Sequence, residues 1–219
     1  MLDLTPDELL TTTRTVRRRL DVRRPLEPAL IEECLAVAVQ APSGGNRQDW
    51  AFVVVTAPER KAAMAEVYRR AWDRYVAEGV LAPPSRPDDP AERRQARRIG
   101  RSARHLVDHL HEVPAIVVPC HRGRFDGKPA VVQASMYGSV LPAVWSFMLA
   151  ARARGLGAAW TTIHLFYEEE FARILGIPYA EVTQVAMVPV AHSVGVDFRP
   201  GRRVPVEDVL FWEAWGRAG

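Results

Sequence analysis

Only two cysteines, Cys34 and Cys120, occur in 219 residues. They sit in apolar surroundings far apart, so no disulfide framework is expected. Both read as buried thiols of a reducing, cytoplasmic compartment. The opening MLDLTPDELL carries acids where a secretory leader needs a basic region. A formal net charge of +3 is too small to argue for nucleic acid by itself. No serine or cysteine sits on a G-x-S-x-G elbow or next to a histidine–acid partner, which removes the usual hydrolase signatures. No phosphate-binding P-loop and no internal repeat is present. GLGAAW, 155–160, lacks the third glycine of a dinucleotide fingerprint and has a helix before it and a strand after it, the reverse of that motif. His105 and His109 have metal-ligand spacing, with His111 nearby. No glutamate of a zinc-protease motif accompanies them, so they read as surface or interface histidines and no metal is expected.

Hydrophobic residues make up 48% and charged residues 25% of the chain. These values suit one globular domain, or one domain with an excursion. The one long uncharged stretch, VVQASMYGSVLPAVWSFMLAA, 131–151, has the length of a membrane span. Its Gln133, Tyr137, Pro142 and three serines dilute the hydropathy. It reads as a helix buried on most sides, in a core or a subunit interface.

Thr5-Pro6-Asp7-Glu8 predicts a helix with a capping box. A second helix starts at Pro28, buries Leu30, Ile31, Cys34, Leu35 and Ala38, and stops before Pro42. WAFVVVT, 50–56, predicts a buried strand, and 57–79 a helix. The proline-rich 80–93 predicts no regular structure, and 91–112 returns to helix. Strands are expected at 114–120, 157–162 and 182–191, with a short helix YEEEFARIL closed by Gly176. Gly155 and Gly157 are placed to end the long helix and to let the next strand run close to a neighbour. The alternation gives an α/β-type mixture with many helices and few strands.

Three segments hold unusual polar capacity. The first is the basic run Arg14, Thr15, Arg17, Arg18 and Arg19, which has no interleaved aromatic residue. It is open to two readings: a solvated face, or a phosphate site built from guanidinium forks and the Thr15 hydroxyl. The second is Arg202-Arg203, in a loop feeding a helix start near Pro205, where anions are favoured. The third is VQAPSGGNRQDW, 39–50, which is either a long wet turn or backbone that must come close to something flat and polar.

Taken together, TTRTVRRRLD, APSGGNRQDWAFVVVT, LAARARGLGAAWTT, LGIPYAEVTQVAMVPVA and RRVPVEDVLFW fall in the order and spacing of the nitroreductase family of FMN-dependent oxidoreductases. The resemblance runs from about Leu10 to Trp215 and is nearest to an actinobacterial-type subgroup; the stretch 80–100 is the least similar. It implies an α+β fold: a small, mainly antiparallel sheet flanked by helices, in an intertwined homodimer with a long central interface helix. It implies a single FMN-binding domain over 1–219, with the excursion at 80–100 as a candidate lid.

Carried onto this chain, the resemblance makes Arg14, Thr15 and Arg17 the phosphate-binding element. Thr15 stands where serine is usual, and Thr13 where a further arginine is common, so more weight falls on Arg203, with Arg202 beside it. Pro42, Ser43, Gly44 and Asn46 match the loop that reaches the flavin of the other subunit. Trp160, Thr161, Thr162 and Ile163 match the backbone passing the flavin N5, where an N–H stabilises the reduced ring. Thr162 stands where some members have glutamate, and Trp145-Ser146 where many have glutamine-asparagine. Both changes bear on substrate choice.

The implied reaction is ping-pong hydride transfer from NADPH or NADH through flavin N5 to a nitroaromatic, quinone or similar small molecule. The flavin does the chemistry, so no catalytic side chain is expected. The resemblance leaves open a flavin-dependent dehydrogenase or oxidase of a natural product, and a non-catalytic flavin-binding protein. Tyr68, Trp72 and Tyr75 are pocket walls or ordinary helix packing. Arginines 69, 70 and 94–104 are candidates for the 2′-phosphate of NADPH. Neither a nucleic-acid nor a membrane partner is expected.

Overall fold

The computed structural model describes residues 1–80 and 88–216. Helix α1 spans Pro6–Thr12, and its capping box forms as the sequence requires, with Thr5 and Glu8 bonded to each other's backbone N–H. Helix α2 spans Pro28–Ala38 and buries Ile31, Cys34 and Ala38. Strand β1, Trp50–Val55, follows, and then helix α3, Pro58–Ala77. Helix α4 spans Pro90–His109. It starts inside the stretch expected to be irregular: Pro90 occupies the first helical turn, and the Asp89 carboxylate accepts from the Ala91 N–H at 2.7 Å. Of the candidate lid at 80–100, residues 81–87 lie outside the described residues, and 90–100 form the first half of α4.

Strand β2, Ala115–Arg122, leads to the 24-residue helix α5, Ala130–Ala153. Strand β3, Leu156–Ala158, helix α6, Glu168–Leu175, and strands β4, Val182–Gln184, and β5, Val188–His192, complete the ordered elements. The sheet is antiparallel throughout, in the order β1-β2-β5-β3, with β4 also paired to β2.

Two sequence expectations are corrected here. The expected single strand at 182–191 is two. β5 faces Ala115–Val117 of β2 and β4 faces Cys120–Arg122, so three residues, Val185–Met187, oppose the two residues Val118–Pro119. This is a bulge, and it frees the Met187 backbone to exchange both hydrogen bonds with Thr161, at 2.9 and 3.0 Å. The expected strand at 157–162 is regular only to Ala158. Its register with β5 still continues to Thr161, through that exchange with Met187.

The sheet divides the core by period-2 alternation. Ile116, Val118 and Cys120 of β2 join Met64, Tyr68, Trp72, Leu106, Leu110 and Phe171 from α3, α4, α6 and the turn after α4. Ala115 and Val117 face Ile31, Cys34, Val144, Phe147 and Met148 from α2 and α5. The two thiols therefore lie on opposite sides of the sheet. Helix α5 has the length and composition of a membrane span. Its second half is buried against the sheet and α2, through Val140, Ala143, Val144, Phe147 and Ala151. Its first half is not: Val131, Val132, Tyr137 and, further on, Trp145 are exposed.

Candidate functional site

The expected site residues gather in two places. The first is the β3 edge of the sheet. Thr15 forms a parallel bridge with Ala158, and the Val16 N–H donates to the Ala158 carbonyl at 2.8 Å. Gly157 permits this approach: a Cβ there would lie 2.8 Å from Val16 Cγ1 and 3.1 Å from Leu20 Cδ2. The neighbour that the sequence left unnamed is thus the arginine-bearing segment itself. Arg17 faces Tyr68, and burial pulls its guanidinium below the ordinary arginine range. The Tyr68 hydroxyl stands 2.9 Å from Thr161 Oγ1, and burial pushes its phenol up to about 12, so it keeps its proton. Arg14 donates from Nη2 to the Arg199 carbonyl, while its buried Nε has no partner among the described residues.

Thr161 itself is anchored by Met187 and Tyr68. Its N–H is spent on Met187, so an amide of this segment aimed at a ligand comes from Trp160, Thr162 or Ile163. Trp160 packs on one core cluster and Ile163 on the other, which pins both ends of the segment, and Thr162 is exposed.

The second place is the loop before β1. Ser43 precedes a single 3-10 turn, Gly44–Asn46. Gly45, Asn46 and Gln48 all have positive φ (60°, 53° and 54°), strained for the two non-glycine residues. The loop stands on α5. The Ser139 hydroxyl accepts from the Gly44 N–H at 2.9 Å, and a Cβ at Gly44 would lie 2.6 Å from Ser135 Oγ. Ser43 Oγ accepts from the Gln48 N–H, and Asn46 Oδ1 from Gln48 Nε2. A cleft of about 320 Å³ opens between this loop and the first half of α5, lined by Gly44, Gln48, Asp49, His121, Ser135 and Met136 among others. His121 is 3% exposed, its Nδ1 has no partner among the described residues, and burial lowers its pKa.

Strands β2 and β5 lie between these two places, and at about 4.8 Å per strand they are roughly 15 Å apart across the sheet. Helix α5 gives a similar measure. Ser139 touches the loop and Arg152 touches Thr12, and the 13 helical steps from one to the other rise about 20 Å. One chain does not bring the two groups together.

The C-terminal pair joins neither group. Arg202 turns to Asp89, at 3.6 Å, and Arg203 donates to the Arg202 carbonyl at 2.9 Å. Both lie on an arm whose Val204, Val206, Trp212 and Trp215 are exposed, Trp215 at 91%. Tyr68 and Trp72 are buried core residues of α3 and Tyr75 packs against the same cluster; of the three, Tyr68 also reaches Thr161 through its hydroxyl. Ser135, Ser139 and His121 were missed from sequence. The two serines, spaced i and i+4 on an uncharged helix, were a readable signal of a polar contact; His121 left none. Among the described residues, no group of three His, Cys, Asp or Glu side chains is arranged to hold a metal ion.

The described arrangement coincides with a known family. The model of the nitroreductase family matches residues 10–192. The chain belongs to the nitroreductase family. A 5,6-dimethylbenzimidazole synthase from Rhodospirillum rubrum is 31% identical over 154 residues, 66% of this chain. The match spans 65% of that relative's length, just under two thirds. Among solved structures, the FMN- and NADPH-dependent nitroreductase NfnB from Sphigopyxis sp. strain HMH superposes with a TM-score of 0.66 at 22% identity, covering 97% of this chain and 100% of that one. An iodotyrosine deiodinase bound to FMN and 3-iodo-L-tyrosine superposes at 0.67 and 22%, covering 90% and 93%. The fold is nitroreductase-like. Family membership supports an oxidoreductase, and the two solved neighbours, at 22% identity, show the fold alone.

Proposed function

We propose that this nitroreductase-family chain binds FMN as one unit over 1–219, in the cytoplasm, and passes reducing equivalents from NADPH or NADH to a small acceptor such as a nitroaromatic or quinone. One observation carries this reading: the packing of Arg14, Thr15 and Arg17 against β3, beside Tyr68 and the anchored Trp160–Ile163 segment. The residues fit the group. Two guanidiniums and a hydroxyl suit a phosphate dianion, and Arg14 has a buried donor with no partner among the described residues. Arg203 adds a further cation from the arm.

In this reading a homodimer completes the site, each partner supplying Pro42, Ser43, Gly44 and Asn46 to the other's ring. The exposed apolar half of α5 and the exposed arm support such a partner. The amide that faces the ring is that of Trp160, Thr162 or Ile163, because the Thr161 amide is already bonded. Tyr68 holds Thr161 in place and keeps its proton at neutral pH. Bound FMN supplies hydride acceptance and release, which leaves orientation and charge compensation to the side chains.

Donor choice falls to the face of α4. Arg69 pairs with Glu66, Arg70 with Glu170 and Arg104 with Asp108, while Arg97, Arg98 and Arg101 are exposed. The synthase relative favours a second reading, in which the FMN-bound protein makes a ring product rather than a reduced acceptor.

The deciding experiment is the visible spectrum of the purified protein, before and after anaerobic NADPH and then NADH. A flavin spectrum that bleaches supports the reductase reading and identifies the donor. A flavin that resists both donors, with 5,6-dimethylbenzimidazole found after aerobic incubation, selects the second. A protein that stays colourless and inactive after added FMN overturns both.

A further inference from the structure

Three guanidinium groups converge on one short segment, Val194 to Arg199. Arg19 donates from Nε to the Val194 carbonyl at 2.6 Å and pairs through Nη2 with Asp197 at 2.6 Å. Arg152, in the last turn of α5, donates from Nη2 to the Val196 carbonyl at 3.0 Å. Arg14 takes the Arg199 carbonyl. Arg19 and Arg152 both lie against the Phe198 ring, with Cζ 4.4 and 4.9 Å from its centroid.

This arrangement is costly. Arg152 is only 4% exposed, and its Nε and Nη1 have no partner among the described residues. Burial first, then Arg19 and Arg14, pull its pKa down. The acid that offsets the cluster is Asp197, whose side chain is 90% exposed. A methionine would fill a similar volume without stranding two donors, so stability alone does not call for an arginine here. A residue that breaks a local rule at such cost points to a task. The gripped segment continues within four residues to Arg203.

We propose that Arg152 and Arg19 are positioning residues: by gripping Val194 to Arg199 they set the direction in which the C-terminal arm leaves the body, and so deliver Arg203 to the anion held by Arg14 and Arg17. This rests on the phosphate reading above and extends it to two arginines with no role in it so far.

The test uses the full chain and FMN. FMN affinity, from quenching of flavin fluorescence, is measured for the wild type, Arg152→Met, Arg203→Ala and the double variant. The rate at which chymotrypsin releases the tail bearing Trp212 and Trp215 is measured on the apoprotein. Arg152→Met is expected to release the tail faster and to weaken FMN binding about tenfold, the size of one lost charge-assisted hydrogen bond. Arg203→Ala is expected to weaken FMN binding without changing tail release, and the double variant to bind no worse than the weaker single one. Unchanged tail release in Arg152→Met overturns the clasp. Losses that multiply in the double variant also overturn it, because Arg152 would then act without Arg203. Wild-type FMN affinity in Arg203→Ala overturns the phosphate reading instead, and faster tail release in Arg152→Met would still mark the grip as real. Should Arg152→Met fail to fold, Phe198→Leu keeps the arginine, removes the ring both cations lie on, and carries the same measurements.

Discussion

The hydroxyl of Tyr68 lies 2.9 Å from Thr161 Oγ1, joining helix α3 to a segment 93 residues away in sequence. Arg17 faces the same phenol. Tyr68→Phe keeps the ring and removes that bond. It is expected to cost about 1 kcal/mol and to lower Tm by roughly 2–4 °C for a chain of this size. Thermal unfolding of the FMN-free protein checks it. A Tm equal to wild type would mean that the two hydroxyls are better served by water.

Gly157 is the contact point between β3 and the arginine segment. Gly157→Ala puts a Cβ 2.8 Å from Val16 Cγ1, and the overpacking is expected to cost about 1–3 kcal/mol. Thr15 would be pushed off β3, so FMN affinity should fall with stability. Adding Val16→Ala removes the closest contact, at 2.8 Å, leaves Val16 Cβ and Leu20 Cδ2 at 3.1 Å, and should restore both in part. Failure of the second substitution to rescue would show that the glycine serves something other than this approach.

His164 is fully buried, packs edge-on against Phe171, and has no hydrogen-bond partner at either nitrogen among the described residues. Burial pushes its pKa from 6.5 down to about 3. The unfolded chain therefore takes up the proton first. The stability held by the neutral ring is complete above about pH 6.5 and declines as pH falls toward 3, by up to about 1.4 kcal/mol per pH unit. Urea midpoints measured from pH 7 to pH 5 should fall more steeply for wild type than for His164→Phe. Parallel curves would assign the acid limb to other groups.

Burial pushes the Cys34 thiol up to about 11 and the Cys120 thiol up to about 12. Neither is expected to react with a thiol reagent at pH 8 in the native protein, and both should react once it is unfolded. Rapid labelling of one thiol in the native state would place that residue at an opening in the core.

Element starts were legible where a proline or a cap punctuates the chain: Pro6 with Thr5, and Pro28. The helix expected from 91 starts one residue earlier, at Pro90, because a helix-opening proline after a crowd of prolines looks like one more breaker until its capping Asp89 is weighed. The bulge at Val185–Met187 was invisible. VTQVAMVPVA is one run of β-formers, and a bulge without glycine leaves no compositional mark. The motifs of the candidate site stand out in the sequence because each is contiguous, and the resemblance assigns the loop at 42–46 to the flavin of the other subunit. By themselves the residues around Arg14 and Asn46 do not say that strands of the sheet separate them. Tyr68 was read as an aromatic of uncertain use because its partner lies on another element.

That separation reaches beyond a single gene copy. A chain with Arg17→Ala lacks one half of the site, and a chain with Asn46→Ala lacks the other. In the proposed homodimer each variant alone has two damaged sites. A mixed pair concentrates both lesions in one site and leaves the other intact. Two inactive alleles expressed together should therefore recover part of the wild-type activity, whereas a chain that assembled its site alone would recover none.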